Sequence, residues 1–530
     1  MKHRLPALLL ATFFFAITVT PSFAATDPVR VEQGQLSGTA GKSADVRVFR
    51  GIPFAAPPVG DLRWKPPQPA AAWKGVREAN KFSATCWQKP YPPQAAIFQN
   101  DISNMSEGCL YLNLWTPAKT AADRLPVMVW IHGGGFTRGT ANSPMYDGEN
   151  LALKGVIVVT FNYRLGVFGF LAHPELAAES AHRASGNYGV LDQIAALQWV
   201  KKNIAAFGGD PDRVTIFGES AGSYAVCALM ASPLAKGLFA RAIGESGALF
   251  NQLQTQAEAE KEGEKLAAQA GAVPSEANKL AIKSLRAKPA DELVKLTGET
   301  NRPVIDGWVL PQAIYTTFAQ GKQNDVPLLL GNNADEGTVF APPAQFVTAA
   351  LFTAGSQKRF GDRADQFFKI YPAGSDQEAF ASYLASFRDV SFGWEMRTWA
   401  RLQVKTGHQA VYRYYFTRRP PGPQSARLGA FHASEIPYVF GNFIWPFPWE
   451  EADHKLSETM SSYWVNFAIT GNPNGKGLPE WSTYNAEKDT VLELGEQIVP
   501  RTGTNKAGLD FLDAFFTSKM QPKAAVGSGK

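Results

Sequence analysis

Apolar positions in this chain cluster into short, near-continuous runs set apart by longer mixed stretches. Leu125-Pro126-Val127-Met128-Val129-Trp130-Ile131, Gly155-Val156-Ile157-Val158-Val159-Thr160, Val214-Thr215-Ile216-Phe217, Val326-Pro327-Leu328-Leu329-Leu330-Gly331 and Ala410-Val411-Tyr412-Arg413-Tyr414-Tyr415-Phe416 lack the clean alternation of a strand with one wet face. They predict strands buried on both faces, as in a parallel or mixed sheet covered by helices. Between the second and third runs, residues 190–204 have an amphipathic helical pattern, so strand, helix and strand follow one another as in an α/β fold with right-handed crossovers. Residues 25–130 alternate short β-rich runs, such as 46–53, with proline-rich turns. From about 251 to 300, Ala, Glu, Lys and Leu predict helices with charged outer faces. The aromatic residues 340–405 predict helices walling the C-terminal edge of the sheet, and the last ten or so residues, ending Ala524-Ala525-Val526-Gly527-Ser528-Gly529-Lys530, a disordered tail.

Composition excludes a disordered chain: 45% of the 530 residues are hydrophobic and 19% charged. No linker or repeat divides it, so residues 25–530 are expected to form one large α/β domain with insertions. The first residues differ from the rest. Lys2 and Arg4 precede an apolar stretch from Leu5 to about Thr20, followed by Ser22-Phe23-Ala24, which predicts a secretory signal over residues 1–24, cleaved near Ala24. The stretch is shorter than the roughly 20 residues a membrane span needs. A secreted or periplasmic protein without a membrane anchor is expected. The formal charge of +5, part of it on Lys2 and Arg4, is too slight to imply nucleic acid or an anionic membrane as partner. The basic cluster Arg413, Arg418 and Arg419 is expected to be a solvated strand edge. Three cysteines in an exported chain invite one bridge and one free thiol. Cys86 and Cys109 bracket a loop whose closure is worth about 3 kcal/mol by chain entropy, while Cys227, among apolar residues, reads as a buried and inert thiol.

Directly after the apolar run 214–217 comes Gly218-Glu219-Ser220-Ala221-Gly222, with a helix-compatible stretch behind it. A G-x-S-x-G turn between strand and helix forces the serine into a strained conformation and exposes its hydroxyl at the sheet's C-terminal edge. That hydroxyl needs a base, and the base needs an orienting acid. In α/β-hydrolases the chain order is serine, acid, histidine. Only His408, His432 and His454, of 7 histidines, follow Ser220. His454 lies in a charged stretch and His408 in an exposed turn, which leaves His432, set among small and aromatic residues. The acid belongs on a loop after a strand between the two, where Glu336 is favoured and Asp335 is the alternative; Asp306 reads as a turn residue. After the strand 125–131, Ile131-His132-Gly133-Gly134-Gly135-Phe136 supplies a glycine run whose amides, at Gly134 and Gly135, would hold an oxyanion together with that of Ala221. A phosphate loop is the rival reading of such a run, but the required lysine is missing. Nothing points to a metal or a cofactor. Glu219, Phe136, Tyr438 and Phe440 are candidates for the substrate pocket, the last two within an aromatic cluster at 438–449 that core packing would equally explain. Glu219, beside the nucleophile, would repel anionic substrates or bind an internal water.

At this point the chain resembles the type-B carboxylesterase family, which includes the cholinesterases. The resemblance is carried by Phe49-Arg50-Gly51-Ile52-Pro53-Phe54-Ala55, Cys109-Leu110-Tyr111-Leu112-Asn113, Trp130 to Phe136, Asn162-Tyr163-Arg164-Leu165-Gly166, Gly186-Asn187-Tyr188-Gly189, Phe217 to Gly222 and His432 to Phe440. It implies an α/β-hydrolase fold, a Ser220, Glu336, His432 triad, a Cys86 to Cys109 disulfide and a deep aromatic-lined gorge. The chain departs from the family at Glu107-Gly108-Cys109, where Glu-Asp-Cys is usual and a local salt bridge is expected to be lost. Trp87 adjoins Cys86, but the loop lacks the later tryptophan with which cholinesterases bind choline, so recognition of quaternary ammonium by cation–π contact is not expected. The expected function is hydrolysis of small-molecule carboxylic esters through an acyl-enzyme, without an obligate protein partner. An amidase or carbamate hydrolase with the same triad is the alternative within enzymes, and a non-catalytic binding protein the alternative outside them.

Overall fold

The apolar runs form the middle of an 11-stranded mixed sheet. In chain order its strands are β1 (Thr39–Ala40), β2 (Arg47–Pro53), β3 (Tyr111–Thr116), β4 (Leu125–Ile131), β5 (Ile157–Phe161), β6 (Gly209–Glu219), β7 (Arg241–Glu245), β8 (Leu328–Asn333), β9 (Val411–Phe416), β10 (Thr490–Leu494) and β11 (Ile498–Thr502). The computed structural model describes residues 28–251, 253–272, 281–298 and 302–520; the expected signal segment and C-terminal tail lie outside them. Across the sheet the order is β11-β10-β9-β8-β7-β6-β4-β5-β3-β2-β1. From β5 to β10 all neighbours are parallel, whereas β11, β3, β2 and β1 join antiparallel at the two flanks.

Strands buried on both faces follow from the missing alternation. Every residue of β5 and β8 is buried, and all of β4 except Leu125. Successive side chains still point to opposite faces. Val127, Val129 and Ile131 enter one core with Val214, Ile216, Leu328 and Leu330, while Met128 and Trp130 enter a second with Phe217, Leu329 and Tyr414. The first core is covered by α1 (Tyr188–Asn203), α2 (Ala221–Ala231) and α3 (Trp394–Thr406), the second by α4 (Glu451–Thr470). Of residues 340–405, 349–370 and 376–405 are helical as expected, whereas 340–348 and 371–375 are mostly irregular, and a π-helical turn at Asp389–Gly393 leads directly into α3.

Chain order reverses direction about β4: β5 lies on one side of it and β6 on the other. In parallel sheets ligands bind outside the carboxyl ends of the strands at such a point. The segments after β4, β6 and β8 all emerge at that edge, and they carry the glycine run, Ser220 and Glu336.

Cys86 and Cys109 form a disulfide, and Cys227 is a buried free thiol that burial pushes far above its usual range. Arg413 and Arg418 are not the solvated edge expected of them. β9 is an interior strand, because β10 pairs with its outer side, and Arg413 is buried against Asp489 at 2.7 Å while Arg418 is buried against Asp453 at 2.7 Å. Of the three, only Arg419 is exposed. At the other departure, Glu107 itself pairs with Arg63 (Nε–Oε2 2.6 Å), so that region keeps an ion pair although Gly108 stands where the family has aspartate. Among the described residues no helix is long and apolar enough to cross a membrane, and no side-chain cluster has the makings of a metal site.

Candidate active site

β6 ends at Glu219 and α2 begins at Ala221, leaving Ser220 to turn the chain with φ +55° and ψ −121°. A non-glycine residue there stores strain of about 1–3 kcal/mol. The surrounding structure over-determines it. Ser220 N–H donates to Glu245 O at 2.8 Å, and Tyr224 N–H donates to Ser220 O at 2.9 Å. A Cβ on Gly218 would lie 2.6 Å from Ile131 O, and one on Gly222 only 1.9 Å from the same oxygen. The two glycines of the motif therefore let α2 cross the end of β4.

Three residues past β8, Glu336 is fully buried. Its Oε1 accepts from Asn333 N–H at 2.7 Å and its Oε2 lies 2.6 Å from His432 Nδ1. Asp335, the alternative acid, does something else: its Oδ2 accepts from Ala430 N–H at 2.8 Å and its own N–H donates to Ala430 O at 3.0 Å, tying the acid loop to the histidine loop. Asp306 makes the expected turn, accepting from Trp308 and Leu310 N–H. His408 is exposed beside Asp325, and His454 is exposed at the start of α4. The rings of Phe392 and Phe340 pack on His432 at 4.7 and 5.0 Å. His432 Nε2 lies 3.0 Å from Glu219 Oε1, and no hydrogen bond joins it to Ser220.

Gly134 and Gly135 have φ +106° and +64°, which only glycine adopts freely, and Gly135 is exposed. His132 in front of them is structural. It stacks on Tyr163 at 4.5 Å, the Tyr163 hydroxyl donates to its carbonyl at 2.9 Å, and burial pushes its ring down to about 4, so the ring is neutral. The disulfide loop braces the turn from behind: Gln88 Oε1 accepts from Gly139 N–H at 2.9 Å and its Nε2 donates to Gly139 O at 2.8 Å. Ala221, the third expected donor, sits buried at the first position of α2.

The model of the carboxylesterase family matches residues 25–512. This chain belongs to that family. Over 511 aligned residues it is 39% identical to fumonisin B1 esterase of Sphingopyxis macrogoltabida, covering 92% of this chain and 90% of that one. The para-nitrobenzyl esterase of Bacillus subtilis (strain 168) is 37% identical, with 89% and 95% covered, and the liver carboxylesterase of Sus scrofa 36%, with 92% and 93% covered. A solved structure of PNB esterase superposes with a TM-score of 0.78 at 35% identity, over 91% of this chain and 99% of that one. The carboxylesterase is thus a carboxylic ester hydrolase with an α/β-hydrolase fold.

Three of the pocket candidates do not reach a pocket in this carboxylesterase. Phe136, Tyr438 and Phe440 have no accessible surface. Phe136 packs on Phe170, Phe440 on Trp130 and Phe217, and the Tyr438 hydroxyl is spent on Asp453 Oδ1 at 2.7 Å. Glu219 does face His432, but burial, and next the nearby Glu435, Glu336 and Glu245, hold its carboxyl well above the usual range. The shift favours the neutral form of the carboxyl and so weakens the repulsion of anions expected of it. Behind it lie two buried carboxyls that sequence reasoning missed. Glu245 accepts from Trp464 Nε1 at 2.8 Å and burial pushes it up to about 8; Glu435 accepts from Asn333 Nδ2 and is raised by burial and by Glu245. The available signals were a glutamate ending the apolar strand Ala242-Ile243-Gly244-Glu245 and another three residues after His432.

Proposed function

We propose that this carboxylesterase cleaves its esters with Ser220 as nucleophile, His432 as base and then acid, and Glu336 as the group that orients the histidine. With the proton on Nδ1 held by Glu336, Nε2 is free to accept the serine proton as Oγ attacks the ester carbon. The amides of Gly134, Gly135 and Ala221 receive the oxyanion. His432 then passes the proton to the leaving alcohol, and a water repeats the sequence to free the acid. Catalytic hydrogen bonds tighten on substrate binding, and here Nε2 must turn from Glu219 to Ser220. The observation that carries the reading is the 2.6 Å approach of Glu336 Oε2 to His432 Nδ1 beside a serine at φ +55°. Residues 1–24 are read as a cleaved export signal and 25–530 as one domain, a reading the Cys86–Cys109 disulfide supports.

Ser220→Ala tests it. The variant is expected to fold, to lose at least about 10⁴-fold in turnover and to resist covalent labelling by an organophosphate that modifies the wild type stoichiometrically. Near-normal turnover of an aryl ester by the variant refutes the assignment. The substrate panel spans aryl, short-chain, long-chain and polycarboxylate esters, with fumonisin B1 and para-nitrobenzyl esters included because relatives are named for them.

A further inference from the structure

Glu395 takes no part in the proposed triad, yet it is a fully buried carboxyl close to it. It stands on α3, and its Oε2 accepts from Phe250 N–H at 2.8 Å; the Asn251 N–H also binds the carboxyl. Its Oε1 has no hydrogen-bond partner, and among the described residues Glu395 has no ion-pair partner. The next side chain of α3, Met396, accepts through Sδ from Gly247 N–H at 3.2 Å. Two consecutive side chains of one helix thus hold the segment 246–251 that leaves the C-terminal end of β7. On its other side this segment presses on the nucleophile helix. Ser223 Oγ donates to Gly247 O at 2.5 Å, and a Cβ on Gly247 would lie 2.8 Å from Ser220 O and 2.5 Å from the Tyr224 ring. The segment cannot shift without disturbing the backbone of Ser220. Just upstream of Glu395, Phe392 packs on His432.

We propose that Glu395 is a positioning residue whose carboxyl latches segment 246–251 onto α3, fixing the wall of the active site beside Ser220. The proposal rests on Ser220 being the nucleophile. The titratable groups facing the carboxyl are Tyr224 and Cys227 of α2, both kept protonated by burial. On its own helix Arg397 is committed to Asp510 and Asp513, and segment 246–251 carries no charged residue. Burial pushes Glu395 up to about 8, so the latch is a neutral carboxyl near neutral pH. Ionised in alkali, it has two amide donors and no cation, and only entering water can complete its solvation. The latch then opens.

Glu395→Gln keeps a neutral acceptor, and Glu395→Met removes the acceptor at similar size. With 4-nitrophenyl acetate and hexanoate as probes, E395M is expected to lose about tenfold in kcat/KM, the worth of one or two hydrogen bonds, and to change its preference between the two chain lengths. E395Q is expected to stay within about twofold of wild type near neutral pH and to lack the decline in kcat/KM that wild type shows above about pH 8. Wild-type kcat/KM and chain-length preference in E395M, or an unchanged alkaline decline in E395Q, overturns the proposal; should E395M not fold, the E395Q profile decides alone. Organophosphate labelling separates the two readings. A wild type that is not labelled at Ser220 defeats the nucleophile assignment, whereas labelled variants with unaltered kinetics defeat only the latch.

Discussion

Glycines near the site serve two distinct purposes, and single substitutions separate them. At Gly222 an added methyl would stand 1.9 Å from the Ile131 carbonyl, a backbone atom of a buried strand that cannot retreat. At Gly135 the nearest atom is Thr137 Oγ1 at 3.9 Å, and the obstacle is φ +64°, a strain of about 1–2 kcal/mol. Gly222→Ala is therefore expected to destabilise by about 4 kcal/mol or more, or not to fold. Gly135→Ala should fold, with Tm lowered by only about 3 °C, and, with the oxyanion held as proposed, lose about a hundredfold in kcat because its methyl enters that space. Thermal melts and ester kinetics on both variants check this; equal losses of stability would refute it. The same contrast explains which residues were legible from sequence. The strained turn at Ser220 and the pairing of Glu336 with His432 could be read because an elbow demands glycines at fixed positions and the chain order restricts the partners. Phe136, Tyr438 and Phe440 could not, because an aromatic side chain beside a functional residue reads alike in a core and in a pocket. Glu245, Glu395 and Glu435 are buried by tertiary contacts hundreds of residues away in some cases, as with Trp464 on Glu245, and no local pattern announces them.

The elements that could be read are those whose apolar runs are long enough to need no partner to declare them. β4, β5, β8 and β9 fall within about three residues of their expected limits. β1, β10 and β11 had no such signal: β11 is Ile498-Val499-Pro500-Arg501-Thr502, half of it exposed, and it exists because it pairs with β10. Helix α1 is seated by its buried apolar side chains and also carries one buried ion pair. Arg164, just past β5, grips Asp192 with Nε at 2.8 Å and Nη2 at 2.7 Å, both side chains buried, and its Nη1 donates to Lys65 O at 2.9 Å. Arg164→Met would leave a buried carboxylate with no cation, a loss of about 3–5 kcal/mol, whereas Arg164→Met with Asp192→Leu should recover most of it. Urea unfolding near neutral pH measures both. Asp192 regains neutrality by protonation, so the deficit of the single variant should shrink in acid. A double variant as unstable as the single one would show that packing of the arginine stem, not the unpaired charge, holds α1.

At the scale of the whole molecule, the carboxyls behind His432 set the direction in which stability depends on pH. Glu219, Glu245 and Glu435 are all raised, chiefly by burial, and Glu245 moves from 4.5 to about 8. Between those two values the unfolded chain has lost a proton that the folded chain still holds, so each rise in pH favours unfolding. The contribution of Glu245 is fully present below about pH 4.5, declines through neutrality and is exhausted above about pH 8. Carboxyls such as Asp453, which Arg418 and its other hydrogen-bond donors hold below the usual range, act oppositely: their stabilisation is present above an ordinary carboxyl value and lost as acid titrates them. Together they predict a stability maximum on the acid side of neutrality. Glu245→Gln keeps an acceptor for the Trp464 N–H and removes the titration. Unfolding free energies measured from about pH 4.5 to 9 should fall less steeply in the variant than in wild type, by a few kcal/mol over the range. Parallel curves would mean that Glu245 is already ionised in the folded protein, and that the carboxyls behind the histidine bear a charge the site must accommodate in every step.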